Sequence, residues 1–249
     1  MNRILIITEG TKPDKKIVEH LIKVYKKKDI SYEIYTYNTN IYMLYQDMKK
    51  IYEDELENIQ IIPILKLKNE NFNFEKDDFS EIYLFFDYDI HHYEFNRDTS
   101  PEKLNGQLQE MLDYFNDETG DVGKLYINYP MVEVFFQSNL SCVDIDRLKY
   151  YKDTPEINGI KGKFMQNSEN FSEEKTNEIL KKHIIRENML VNSNEIIPLY
   201  KNYKDITQKN IFERESLKVK KLKKIFELSC FAKFIIDYFG EEFYSEKFL

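Results

Sequence analysis

The stretch Ile82 to Asp89, IYLFFDYD, decides how the rest of the chain is read. Five largely apolar positions, Ile82 to Phe86, run unbroken into two carboxylates one residue apart, and the chain then turns polar in HHYEFNRD. That is the pattern of a buried strand that delivers charge at its C-terminal end. Side chains alternate along a strand, so Asp87 and Asp89 are expected on one side if the strand runs that far, with Tyr88 on the other. Carboxylates sharing one patch raise each other's pKa or recruit a cation, and Mg2+ or Mn2+ is the usual occupant of an all-oxygen site. A strand end followed by an Asp-rich turn accounts for the same letters, because Asp favours turns.

Upstream, Arg3 to Thr8 is an Ile/Leu-rich run bounded by Glu9 and Gly10, the pattern of a central strand covered on both faces. Gly10 permits a sharp turn or a close approach. Pro13 and Asp14 suit the first turn of a helix whose inner face is Ile17, Val18, Leu21, Ile22, Val24 and Tyr25. His20, beside that face, reads as a packed or solvated helix residue rather than a ligand. SYEIYTYN, 31 to 38, alternates like a second strand, and Ile41, Leu44, Tyr45, Met48 and Tyr52 mark a helix. IQIIPILKL, 59 to 67, reads as a third buried strand in which Pro63 favours an edge or an end. Polar residues 69 to 80 then lead into the central strand.

Downstream, Ser100 and Pro101 make a helix start, with Leu104, Leu108, Met111, Leu112 and Phe115 facing inward. NDETGDVG reads as a loop and KLYINYP, 124 to 130, as a short strand, with a helix beginning near Pro130. There MVEVFFQ sets Glu133 among apolar neighbours, so its carboxyl must be solvated, paired, metal-bound or protonated. Beyond Gln137 strands are expected to end. Residues 150 to 170 read as irregular and partly basic, 172 to 189 as a helix, and 209 to 239 as one or two more. The expectation is an α/β domain over residues 1 to 138, with a mostly parallel sheet flanked by helices, and a mainly helical region over 139 to 249.

A net charge of -8 argues against a protein that coats nucleic acid through a global positive field, but leaves room for a local basic patch. Lysines 218, 220, 221, 223 and 224 form such a run, expected on the outer side of a helix whose Leu217, Leu222, Ile225 and Phe226 face inward. It is either a solvated face or a tether for a phosphate backbone. Cys142 and Cys230 show no disulfide or metal spacing and suit a reducing cytosol as buried small hydrophobes. The opening apolar run is too short for a signal-peptide core and no stretch approaches a membrane span, so a cytoplasmic, soluble protein with no membrane partner is expected.

Carboxylates thus stand at matching places: Glu9 after the first strand, Asp87 and Asp89 at the end of the central one, and Glu133 after the last. In an open parallel sheet, ligands bind at the C-terminal edge of the strands. If the first and central strands are parallel neighbours, Glu9 comes within reach of the aspartates. The order of these motifs resembles the Toprim domain, a Rossmann-like fold shared by type II and IA topoisomerases, bacterial primases and the OLD and RloB-like nucleases. ILIITEGTKPDKKIVEHL looks like the first Toprim motif, which implies acid/base or metal chemistry for Glu9. LFFDYD looks like its DxD motif, which implies metal binding by Asp87 and Asp89.

YINYPMVEVFF is similar to a segment of RloB-like proteins and makes Glu133 an auxiliary acidic candidate, although Tyr129 separates Asn128 from Pro130. Lys161 and Lys163 are the nearest candidates for the lysine that some Toprim nucleases use. The resemblance implies a nuclease dependent on Mg2+ or Mn2+, acting on DNA or structured RNA, with a role in phage defence and a possible protein partner or regulator. His91 and His92 are either solvent-facing or able to touch a phosphate, move a proton or ligate metal. Rival readings are a catalytically silent Toprim-like protein-binding module and a metal-dependent phosphatase.

Overall fold

The computed structural model describes residues 2–25, 27, 29–53, 59–91, 99–137, 139, 141–168 and 171–249. A five-stranded, mostly parallel sheet is built from β1 (Asn2–Thr8), β2 (Ile30–Thr36), β3 (Glu81–Asp87), β4 (Asn116–Asp117) and β5 (Gly123–Asn128). Its order is β2-β1-β3-β5-β4. β1 is parallel to β2, Asn2 facing Ile30 and Thr8 facing Thr36, and parallel to β3, Ile4 facing Glu81 and Thr8 facing Phe85. The two-residue β4 runs antiparallel to β5.

The burial of each strand follows its composition. From Ile4 to Thr8 and from Ile82 to Asp87 every position is buried, as continuous apolar runs require when helices cover both faces. The more polar β2 is half-buried throughout and takes the edge. The connections are α1 (Asp14–Tyr25), α2 (Ile41–Tyr52), α3 (Ile61–Lys68) and α4 (Pro101–Tyr114). Asn40 and Ser100 cap α2 and α4, their side-chain oxygens accepting from Met43 N at 3.0 Å and Lys103 N at 3.2 Å.

The chain forms two compact units: one of residues 1–87 and 98–126, the other of residues 88–97 and 127–249. The second contains a 3-10 segment, Val132–Phe136, then β6 (Cys142–Asp144), a longer 3-10 segment, Ile145–Asp153, and α5 (Pro155–Gln166). After these come α6 (Glu173–Asn192), α7 (Tyr200–Tyr203), α8 (Gln208–Leu222), β7 (Lys224–Phe226) and α9 (Phe231–Phe248). β6 and β7 pair antiparallel. α9 is broken at Gly240, whose φ of 80° is non-helical. Among the described residues no helix is long and apolar enough to cross a membrane.

Several expectations are corrected. Residues 61 to 68 form a helix rather than a strand: Pro63 stands in the first turn, where its missing N–H has no intrahelical acceptor to lose, and Ile61, Ile62, Ile64 and Leu65 are buried. The central strand is therefore the third. Residues 155 to 166, read as irregular, are helical, with Pro155 at the first position and Gly159 and Gly162 tolerated. Strands do not end at Gln137, because β6 and β7 follow. The segment around Glu133 is a 3-10 turn and not an α-helix. Cys230 is buried but Cys142 is exposed. The lysine run is not one helix: α8 stops at Leu222, Lys223 caps it with a left-handed φ of 55°, and Lys224 opens β7. Ile225 and Phe226 are buried as expected, whereas Leu217 and Leu222 are exposed.

Candidate carboxylate site

In the first unit, the end of β1 carries Glu9 to the end of β3. Glu9 continues the ladder past the strand, its N–H donating to Phe85 O at 3.0 Å and its carbonyl accepting from Asn38 N at 2.9 Å. This fixes its backbone against both neighbouring strands. Its side chain then turns back over the sheet edge, where Oε2 accepts from the backbone N–H of Asp87 at 3.0 Å. That bond fixes the direction of the carboxylate at the sheet edge. Asp87, the last residue of β3, is 8% exposed. The parallel pairing that the sequence required for Glu9 and Asp87 to meet is present.

The loop after Glu9 holds a further acid. A Cβ on Gly10 would lie 3.0 Å from Asp14 Oδ2, so a side chain at residue 10 would require that carboxylate to give by a few tenths of an ångström. Asp14 is buried in the first turn of α1, where a negative charge meets the positive end of the helix. Sequence reading treated it only as a helix starter. Its place next to the Glu-Gly turn was the available signal.

The second unit holds the remaining candidates. Asp89 is not the next outward step of a regular strand: β3 ends at Asp87, and Asp89 has a left-handed φ of 39°. Strand alternation therefore does not put it on the side of Asp87. Asp89 N donates to Pro130 O at 3.3 Å, and its Oδ1 lies 3.8 Å from His91 Nδ1, an ion pair only when the imidazole is protonated. His92 lies outside the described residues.

Glu133 is buried, as its apolar setting implied, and its Oε1 accepts from Lys161 Nζ at 2.6 Å. Of the alternatives open to a carboxyl in that setting, it takes pairing. Lys163 is exposed. Asn128, fully buried, is a structural node: its side-chain oxygen accepts from Cys230 N at 3.1 Å and its carbonyl from Tyr88 N at 3.0 Å. Tyr129 and Leu228 exchange both backbone hydrogen bonds, at 2.8 and 2.7 Å.

A buried polar set in the second unit escaped sequence reading. His183 and Glu187 on α6, and Glu215 on α8, are fully enclosed. Ser229 N donates to His183 Nδ1 at 3.1 Å, which puts the imidazole proton on Nε2, and burial pushes His183 down to about 3. Tyr203 donates its hydroxyl proton to Glu187, and Phe226 N donates to Glu215 at 3.0 Å. Burial pushes both carboxyls up to about 8. Leu180, His183, Ile184 and Glu187 recur at helical spacing, so two polar residues sharing the inner stripe of α6 were the signal.

Among the described residues, no group of three or more His, Cys, Asp or Glu side chains is gathered closely enough to hold a metal ion. The first unit offers Glu9 held at the end of Asp87's strand, which is not a closed cage. Mg2+ is commonly held by one or two carboxylates, with water and substrate phosphate completing its shell. The hard oxygens of Glu9 and Asp87 fit that partial arrangement and do not fit an all-protein site. Comparison with family models, curated proteins and solved structures finds no match.

Proposed function

We propose that this chain is a divalent-metal-dependent phosphodiester hydrolase of Toprim type that cleaves DNA or structured RNA. One observation carries the reading: Glu9 is pinned by the amide of Asp87 at the C-terminal ends of two parallel strands. Open parallel sheets bind ligands at that edge. Glu9 and Asp87 are the residues that would hold Mg2+ or Mn2+, with Asp89 assigned to the same role by the Asp-x-Asp motif alone.

Such an ion supplies polarisation of a phosphoryl oxygen and a more acidic bound water. The chain's own part is positioning. The Asp87 N–H fixes the Glu9 carboxylate, and Glu9, so oriented, accepts the proton of an attacking water as general base. Glu133 belongs to the proposal as an auxiliary acid whose charge is balanced by Lys161. A setting in phage defence is carried over from the Toprim resemblance.

The test is a cleavage assay with plasmid DNA, single-stranded DNA and total tRNA, with Mg2+, Mn2+ or chelator. Glu9→Gln and Asp87→Asn are each expected to reduce cleavage by about a hundredfold or more, the scale of losing acid/base catalysis. Cleavage that persists in chelator, or in both variants, would overturn the reading. That no three-donor cluster is gathered among the described residues favours a second reading, a catalytically silent module that binds a protein partner. A folded wild type that neither cleaves these substrates nor binds Mn2+ would select it.

A further inference from the structure

A cationic surface is assembled in the second unit from two helices and a strand. Lys218 on α8 and Arg186 on α6 both lie over the ring of Phe226 in β7, with Nζ at 4.8 Å and Cζ at 3.2 Å from its centroid. Each is attracted to the ring, but the two cations repel each other. The Nε–H of Arg186 is buried with no acceptor among the described residues. Beyond them, Lys220, Lys221, Lys223 and Lys224 are exposed where α8 ends and β7 begins.

Helix physics explains part of this. Lys220 and Lys221 stand in the last turn of α8, where cations offset the helix dipole. It does not explain Lys223 and Lys224, which lie past the helix, or Arg186, which comes from another helix. Arg186 donates to Ser141 O and lies near the buried Glu227, but the lysines beyond it are largely without such partners. Lys220, Lys221 and Lys223 make no ion pair among the described residues, and Lys224 has only the half-exposed Asp144 at 3.8 Å. Glu215 on the same helix is buried and held largely protonated at neutral pH. A chain with 44 acidic and 36 basic residues thus keeps Lys220, Lys221 and Lys223 without an ion-pair partner among the described residues.

We propose that the surface formed by Arg186, Lys218 and Lys220 to Lys224 binds the sugar-phosphate backbone of a nucleic acid. This rests on the phosphodiester reading above and adds to it a binding surface in the second unit. Lysines in nearly successive exposed positions present point charges along a line, which suits a row of phosphates. Leu217 and Leu222 are the large apolar side chains exposed in this run, too little apolar area to anchor it in a lipid surface.

The experiment measures anisotropy of fluorescein-labelled single-stranded and duplex oligonucleotides in chelator, across a salt series. Lys220→Glu/Lys221→Glu/Lys223→Glu is expected to weaken binding about tenfold or more and to lower the slope of log affinity against log salt by about 2 to 3. The corresponding triple Gln variant should fall between it and wild type. Lys181→Glu/Lys201→Glu/Lys204→Glu, with the same charge change at exposed lysines elsewhere on the unit, should bind nearly as wild type. Unchanged thermal melting shows that the variants fold.

Equal weakening by both Glu triples, or no binding by wild type, would overturn the proposal. Binding to phosphatidylserine vesicles but not to oligonucleotides would overturn it in favour of a lipid surface. Asp87→Asn should retain binding in chelator. A wild type that binds through these lysines yet never cleaves with Mg2+ or Mn2+ sinks the hydrolase reading and leaves this one standing.

Discussion

Glu133 and Lys161 illustrate what a single buried charge demands of its surroundings. A carboxyl with only 8% of its side chain exposed has lost most of its contact with water, and Lys161 Nζ, 2.6 Å away, replaces it with a direct partner. Lys161→Ala would strand that carboxylate, at a cost of about 1–3 kcal/mol in chemical denaturation. Adding Glu133→Gln should restore part of the loss. If Lys161→Ala and the double variant are equally stable, the pair contributes nothing to the fold. The sequence made legible, from the apolar letters around it, that Glu133 had to be solvated, paired, metal-bound or protonated. It did not connect Glu133 with Lys161, because residues 155 to 166 read as irregular rather than as the helix that carries the lysine.

The elements divide by whether local chemistry or tertiary context set them. β1, β3 and β5 were readable as compact apolar runs, α2 and α4 as apolar stripes, and the start of α4 from Ser100 and Pro101. The segment from Ile61 to Lys68 was not, since four buried apolar residues in eight satisfy a strand and a short helix equally. Pro63 was the arbiter, tolerated in a first helical turn as readily as at a strand edge. The site divides in the same way. Glu9 meeting Asp87 followed from strand order, whereas the position of Asp89 depended on a left-handed φ that no alternation rule anticipates.

At the start of β5, Gly123 has a φ of 88°, and a Cβ there would sit 2.7 Å from Leu84 Cδ1 and 2.9 Å from Ile82 Cγ2. Gly123→Ala would combine left-handed strain with a clash against β3, for a loss of about 2–4 kcal/mol. Gly106→Ala, in open space on α4, should instead be neutral or stabilising by up to about 1 kcal/mol. Equal melting temperatures for the two variants would show that β5 does not lie against β3 as described.

Across the whole molecule, buried titratable groups set the response to pH. Glu187 and Glu215 have native values near 8 against an ordinary 4.5, so the folded state holds protons that the unfolded state releases between those limits. Their contribution to stability is full below about pH 4.5 and is lost as pH rises to about 8. His183 and His20, lowered to about 3 and about 4 from 6.5, act oppositely: their contribution is full above about pH 6.5 and is lost as pH falls. The effects offset one another between about 4.5 and 6.5. Above that, the glutamates alone decide, and melting temperature should fall from pH 6.5 to 8.5. Glu187→Gln/Glu215→Gln should flatten that limb, and an unchanged limb would show that these carboxyls are already ionised in the fold.

The division of the chain into 1–87 with 98–126 and 88–97 with 127–249 also bears on synthesis. A ribosome releases the chain from its N-terminus, so all residues of the first unit have emerged once Tyr126 has. The described residues Tyr88 to His91 must then wait. The ring of Tyr88 packs on Tyr129, with centroids 5.2 Å apart, and on Phe212, at 6.4 Å, and Phe212 is translated more than a hundred residues later. A gene cut after codon 138 would therefore yield a chain in which Tyr88 keeps Tyr129 but lacks the ring of Phe212, an aromatic left half-covered and a client for chaperones.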